Sequence, residues 1–391
     1  MKINKSRPSH WALLLRQALF TLTAIALRPW QRAPTKPLVV LYGHQFSGNL
    51  RALYRKWQNS EKESFSLCFL ALDPALVQAL ERDGVATLSF GRLGDLPKLA
   101  SAAVMITDHG LHAMAPLSRF TNMRFVDVWH GIPFKGFVPA DFQLQHRYKD
   151  VWVSSPRLKT LYEERFGFKA GQVHALGYAR VDRLFQRPPP ASEFRVQLQL
   201  PPATKLVLYA PTWQQDDAGR ELFPFGETQT TFLAALGKAC ERGGARLVVR
   251  AHLNADIGTQ GEHVIYCSQR DYADTEDILL GADLLLCDWS SIAFDYLALA
   301  RPTVFLDVPP PFRNGFSLGP EYRFGCVVSG TQAMCEAVSE FLQFPVHYHQ
   351  RYGEKYEAIT AEVYADSTTG NAAEKQLARL RELTAERANQ T

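Results

Sequence analysis

Several aliphatic runs in this chain end in residues able to move a proton or hold an anion. Residues 128–136 read Val-Trp-His-Gly-Ile-Pro-Phe-Lys-Gly, so a strand-like run delivers His130 to its carboxyl end, and Gly131 and Gly136 permit a tight turn there. An imidazole at that edge can accept a proton from a hydroxyl near neutral pH, although a loop histidine that only ties down backbone has the same local sequence. Residues 284–296 carry an aliphatic run into Asp288-Trp289-Ser290-Ser291 and then a helical pattern expected to end near Ala300. Ser290 or Ser291 at the helix start would aim free N–H groups and hydroxyls at a phosphate; an ordinary serine N-cap without ligand is the competing reading. Arg250 and His252 lie two apart at another run's end, so both point the same way and match a diphosphate better than a core. Thr212, before Trp213, and the Arg180/Asp182 pair follow two further runs, where packing or a structural ion pair competes with binding.

The elements needed to hold these residues alternate along the chain. Residues 37–43, 64–72, 102–108, 123–129 and 149–155 are short β-branched or aliphatic runs separated by helix-length segments, such as the one at 49–58. That pattern predicts a parallel sheet with helices on both faces. It restarts after Arg187-Pro188-Pro189-Pro190-Ala191, a stiff stretch unfit for a helix interior or central strand. Runs at 205–213, 245–253, 262–268, 282–291 and 301–307 follow, and the last residues become polar and helix-prone. The expected organisation is a basic, apolar segment at 1–36, a first α/β domain at 37–187, a second at 188–346 and closing helices at 347–391.

Composition narrows the function classes. At 391 residues, 46% hydrophobic and 21% charged, the chain is an ordinary globular protein of more than one core. Charge is uneven, however: ten Lys or Arg and no acid precede Glu61. A basic end suggests an anionic partner, and the apolar stretches at 11–15 and 18–27 favour a membrane surface over nucleic acid. Three readings fit the segment. A signal peptide has its basic start and apolar middle; a spanning helix is interrupted by Arg16; an interfacial helix tolerates Arg16 while Trp11, Leu15, Leu19, Leu22 and Ala26 face acyl chains. The interfacial helix is the preferred expectation. The six cysteines form no CxxC pair and sit among apolar neighbours, as buried thiols in a reducing compartment do. No GxGxxG, GxxxxGK[ST], HExxH or nucleophile elbow occurs, so no dinucleotide, P-loop or metal cofactor is implied.

On these motifs the chain resembles the CDP-glycerol glycerophosphotransferase family over roughly residues 38–330. Trp129 to Gly136 looks like its Trp-His-Gly-x-Pro-x-Lys stretch, Gly177 to Asp182 like Gly-x-Pro-Arg-x-Asp, and Tyr209 to Trp213 matches outright; residues 250–253 resemble Arg-x-His-Pro, and Asp288 to Ser291 resemble Asp-Tyr-Ser-Ser. The resemblance implies a GT-B fold, two Rossmann-like domains facing a central cleft, with the acceptor on the first and a CDP-polyol on the second. It implies His130 as base, with His252 beside it, and Arg250, His252, Ser290 and Ser291, together with Asp288 and Thr212, at the donor diphosphate. Lys135, Arg180 and Asp182 would serve the acceptor or the structure. The expected partners are CDP-glycerol or a similar CDP-polyol, a lipid-linked glycan and the cytoplasmic face of the membrane. Ala179 and Leu253 replace family prolines, and Trp289 a tyrosine, so the polyol is less fixed than the transfer. A GT-B glycosyltransferase using a nucleotide sugar is the alternative, with Asp288 or Asp295 gripping the sugar; a catalytically dead membrane recruiter is a third.

Overall fold

The computed structural model describes residues 8–32, 34–60, 64–212, 224–250, 264–268 and 271–388. The chain forms two compact units, the first from Met1–His130, Pro139–Arg180 and Asn371–Thr391, the second from Gly131–Val138 and Val181–Gly370.

In the first unit the strands are β1 (Leu38–Tyr42), β2 (Ser66–Ala71), β3 (Thr87–Ser89), β4 (Val104–Thr107), β5 (Arg124–Asp127), β6 (Asp150–Val153) and β7 (Val173–Ala175). They pair in parallel in the order β3-β2-β1-β4-β5-β6-β7. Helices on both faces explain why the central strands read as unbroken aliphatic runs: Val39, Val40 and Leu41 are all fully buried, Val39 and Leu41 in one core cluster and Val40 in another. Sequence punctuation sets several helix starts. Asp73 caps Pro74–Arg82 by accepting from Ala75 N, and Ser155 caps Pro156–Glu164 by accepting from Leu158 N.

The second unit holds β8 (Lys205–Ala210), β9 (Ala245–Val249), β10 (Val264–Tyr266), β11 (Leu284–Cys287), β12 (Thr303–Leu306) and β13 (Cys326–Val328). Its order is β10-β9-β8-β11-β12-β13, again parallel throughout. The aliphatic runs at 205–213, 245–253, 282–291 and 301–307 therefore become the four inner strands. β3, β7 and β13 are edge strands of three residues each, too short to show a periodicity in the sequence.

The units divide the chain at other points than the expected boundaries at 187/188 and 346/347. The segment just before the prolines already belongs to the second unit: Arg183 pairs with Asp274, Phe185 packs edge-on against Tyr364 at 5.0 Å, and Arg187 donates to the Ala298 carbonyl at 2.7 Å. A proline run reports local stiffness, not where packing partners change. The closing helices also part company. Pro345–Tyr364 stays with the second unit, whereas Ala372–Ala388 returns to the first and buries Leu377, Leu380 and Leu383 beside Val39 and Trp152.

An ion pair fixes that return. Arg379 donates to both oxygens of the fully buried Asp150, at 2.7 and 3.1 Å, and His174 and Trp152 approach the same carboxylate at 3.4 and 3.2 Å. Burial opposes ionisation of Asp150, but the close His174 ring and the hydrogen bonds from Arg379 outweigh it and hold the carboxyl below its ordinary value.

A helix does form over Pro8–Leu27. Gln17, Phe20, Thr21 and Ala24 line one face and are buried, Phe20 meeting Phe90 with ring centroids 4.7 Å apart. Leu15, Leu19 and Leu22 are exposed on the other side at 62%, 57% and 55%. Arg28 anchors the helix end by donating to the Ala100 and Ala102 carbonyls and to Asn122. Among the described residues no helix is long and apolar enough to cross a membrane. The side chain of Trp11 lies outside the described residues.

Replacing Arg379 by Met should lower the unfolding free energy by about 3–5 kcal/mol, because it strands a buried carboxylate. Urea titration followed by tryptophan fluorescence measures this, and an unshifted midpoint would show that the pair does not hold the helix.

Candidate active site

Strand order reverses between β1 and β4 in the first unit and between β8 and β11 in the second. At such a reversal the connecting helices leave on opposite faces, so the carboxyl ends of the two neighbouring strands frame an open crevice where ligands bind. The sequence-derived candidates gather at these places and their neighbours.

In the first unit, β1 leads to His44, β4 to Asp108, His109 and His112, and β5 to Asp127 and His130. The His130 ring is stacked on His109 with centroids 4.5 Å apart and planes 8° from parallel, and Trp129 covers it at 4.4 Å. His130 Nδ1 lies 3.0 Å from the Asp108 carbonyl oxygen. A carbonyl can only accept, so Nδ1 carries the hydrogen and Nε2 keeps its lone pair. His130 is exposed, yet the crowding of its ring by Trp129 and His109 withdraws hydration and lowers the pKa to about 4, with the charge on His109 adding to the effect. His130 is therefore a neutral imidazole with a free base nitrogen.

The backbone that presents it is strained and tied down. Trp129 has φ +44°, unusual for a bulky residue, and its N–H donates to Asp127 Oδ1 at 2.7 Å. Asp127 is fully buried, and burial raises its pKa to about 7 despite that bond. Asn49, 2% exposed on the helix Gly48–Ser60, donates to the carbonyls of Val128 and Trp129 at 3.2 and 3.0 Å and accepts from Arg180 N at 3.1 Å. Arg180 itself is buried, its guanidinium 5.2 Å from the Tyr178 ring.

In the second unit the reversal joins Thr212 to Asp288. Asp288 is buried, and its Oδ1 accepts from Thr212 N and from Trp289 N, both at 2.7 Å, and from the Thr212 hydroxyl. Thr212 thus turns both of its donors inward, which the sequence expectation of a diphosphate contact did not foresee. Trp289 is buried too, donating to the Val308 carbonyl at 2.8 Å, with the Arg323 guanidinium 4.3 Å above its ring and Asp307 3.0 Å from Arg323. Arg250 follows β9 as expected, but its guanidinium donates to the Tyr272 carbonyl at 3.0 Å and to Thr275 at 2.8 Å.

Ser291 occupies the N-cap position of the helix Ile292–Leu297, but its side chain makes no capping hydrogen bond. Its backbone is already helical (φ −62°, ψ −15°), which turns the hydroxyl away from the N–H groups it would otherwise cap. The helix is six residues long, not the longer one expected to near Ala300, so its dipole adds little.

Residues 131–138 leave the first unit directly after His130 and are built into the second. Gly136 N donates to the Gly315 carbonyl at 2.7 Å, Ser317 N to the Phe134 carbonyl at 2.9 Å, and Lys135 faces Phe316 in an antiparallel bridge. Phe134 then packs 4.6 Å from Phe294 and 5.9 Å from Trp289. A methyl group on Gly136 would stand 2.2 Å from the Asn314 carbonyl oxygen, so only glycine permits this approach. Lys135 lies over the Phe137 ring at 5.0 Å. The Arg180/Asp182 motif is divided, Arg180 belonging to the first unit and Asp182 to the second. His252 and Trp213 lie outside the described residues.

Sequence reasoning overlooked His44, Asn49, Asp108, His109 and His112. Apart from Asn49 they follow aliphatic runs by a few positions, as His130 does, and that rule would have found them. Asn49 sits inside a helical pattern and gave no signal.

A family model described as CDP-glycerol:poly(glycerophosphate) glycerophosphotransferase matches residues 28–318. Teichoic acid ribitol-phosphate polymerase TarK of Staphylococcus aureus is 28% identical over 228 residues, 54% of this chain and 44% of that protein. The chain thus spans less than half the length of that relative. A teichoic acid poly(glycerol phosphate) polymerase of Bacillus spizizenii is 24% identical over 358 residues, covering 83% of this chain and 88% of its own. The solved structure of the wall teichoic acid polymerase TagF, soaked with CDPG, has a TM-score of 0.73 over 97% of this chain and 94% of that one, at 18% identity. At that identity the likeness establishes the fold.

Replacing Asn49 by Ala should cost roughly 2–4 kcal/mol, since it unpairs buried carbonyls and an N–H together. Thermal unfolding at fixed pH tests it, and a loss below about 1 kcal/mol would mean the loop at 128–129 is held by other contacts. In carbon-13 NMR titration the His130 ring should stay neutral from about pH 5 upward instead of titrating near the ordinary imidazole value. Because its pKa is lower folded than unfolded, its contribution to stability is complete above the ordinary 6.5 and is lost as pH falls toward 4.

Proposed function

The chain belongs to the CDP-glycerol:poly(glycerophosphate) glycerophosphotransferase family, and from that premise we propose that it transfers glycerol phosphate, or a related polyol phosphate, from a CDP-polyol to a hydroxyl of a cell-envelope glycan. The observation that carries this reading is His130, a neutral imidazole whose tautomer leaves Nε2 free to take a hydroxyl proton. The acceptor oxygen attacks the β-phosphorus of the donor in line; the new P–O bond forms as the bond from that phosphorus to the bridging oxygen breaks, and CMP leaves with the electron pair. The hydroxyl proton passes to His130, a step worth roughly 10²–10⁴-fold.

The donor diphosphate is assigned to the second unit. Ser290 and Ser291 follow β11 beside the reversal, with Arg250 and, by sequence motif alone, His252. Asp288 and Thr212 shape this end of the sheet by holding each other. Stabilisation there is by position and charge, as phosphoryl transfer requires. Asp288 Oδ1 collects three donors from the protein itself, so this oxygen serves the local backbone.

The acceptor is a lipid-linked glycan, and the enzyme works as a peripheral protein on the cytoplasmic face of the membrane, where nucleotide-activated donors are made. Leu15, Leu19 and Leu22 form the exposed apolar stripe of the first helix, Trp30 beyond it is 78% exposed, and the neighbouring arginines suit anionic headgroups.

Incubation with CDP-glycerol, CDP-ribitol or UDP-sugars and a lipid-linked acceptor should release CMP from a CDP-polyol; release of UDP instead would sink the reading. The His130→Ala variant should lose at least about a hundredfold in kcat while binding CDP-polyol as the wild type does. Loss of donor affinity along with turnover would reject the base role. Leu19→Glu with Leu22→Glu should abolish co-sedimentation with phosphatidylglycerol vesicles, and retention on the pellet would dismiss the helix as the membrane contact.

A further inference from the structure

Four histidines meet at the carboxyl edge of the first sheet, and one aspartate organises two of them. Asp108 faces both stacked imidazoles through their Nδ1 atoms: its peptide carbonyl lies 3.0 Å from His130 Nδ1 and its carboxylate 2.8 Å from His109 Nδ1. The first contact is a directed hydrogen bond. The second is an ion pair whose angle is poor, so charge carries it. Asp108 is 7% exposed, and Gly43 opposite leaves the room it needs, since a methyl there would come within 2.8 Å of Asp108 Oδ1.

The two rings hold different charge. Burial pushes the His109 pKa down, but Asp108, with Asp127 behind it, overrides that and leaves it raised. His109 therefore keeps its proton to higher pH than an ordinary imidazole, while its stacked neighbour does not. Other groups face this pair from every side. His44 after β1 lies 5.6 Å from His109 and 4.7 Å from His112, and both His44 and His112 have lowered pKa values, first through burial. Arg180 adds positive charge felt by both His109 and His130, and Asp127 and Asp108 are the facing carboxyls. Tyr42, T-shaped to His112, stays protonated. Among the described residues no group of three or more His, Cys, Asp or Glu has the geometry to hold a metal ion.

We propose that His109 is a positioning residue for His130: held by Asp108, its ring backs the His130 ring face to face, keeping it flat with Nε2 open to receive a proton and, whenever His109 is protonated, opposing premature protonation of His130. A second positive charge 4.5 Å away, ring on ring, is disfavoured, so His130 stays in its base form at pH values where a lone histidine would be partly protonated. The arrangement rests on His130 being the base of the proposed transfer, but its electrostatic core is independent of any substrate.

The His109→Phe variant keeps an aromatic plane and removes the charge; His109→Gln removes both and serves if the first does not fold. Carbon-13 NMR titration of His130 in the full-length protein should show roughly a tenfold rise in proton affinity, one pH unit, in either variant. The acid limb of kcat against pH for CMP release from CDP-glycerol should move up by the same amount, with KM for the donor unchanged. An unshifted His130 titration overturns the proposal whatever the activity does. A shifted titration with an unshifted acid limb leaves the His109 effect standing and instead removes His130 from the role of base.

Discussion

Helices cover both faces of each parallel sheet, so the side chains that can meet a ligand are confined to strand carboxyl ends, and the reversal of strand order decides which ends stand open. In the first sheet that reversal lies between β1 and β4, in the second between β8 and β11. Most of the chemically capable residues lie at these ends or at those of the strands beside them. The histidines and Asp108 come from β1, β4 and β5; Thr212 and Asp288 come from the two strands at the second reversal.

Buried carboxylates do the organising at these edges and beyond. Asp127 receives the Trp129 N–H, Asp288 gathers Thr212 and Trp289, and Asp150 is gripped by Arg379. A buried carboxylate without donors would be costly, so each one dictates the path of the backbone or the place of the helix that satisfies it. The consequences differ with the donors available. Asp150, met by a guanidinium, stays ionised, whereas Asp127, fully buried, held chiefly by the Trp129 N–H and close to the Asp108 carboxylate, is pushed toward protonation.

The segment Gly131–Val138 shows how one motif can serve two purposes. Its glycines were legible as turn formers, but Gly136 is required because a carbonyl presses where a side chain would stand. The family match spans residues 28–318, and the largely apolar first helix turns one face into the first unit and leaves the other exposed.

Aliphatic runs at helix-length spacing determined the two parallel sheets and their central strands, because burial on both faces demands continuous apolar residues whatever their neighbours. Local sequence likewise determined His130, Thr212, Arg250, Asp288, Ser290 and Ser291 as strand-end residues. Tertiary structure alone decided that Asp108 faces two imidazoles, that Thr212 turns to Asp288, that Asn49 braces the His130 loop, and that the helix Ala372–Ala388 returns to the first unit. Apart from the contact of Asp108 with its neighbour His109, these depend on partners tens or hundreds of residues apart along the chain, and a periodicity records which way a side chain faces but not what it will meet there.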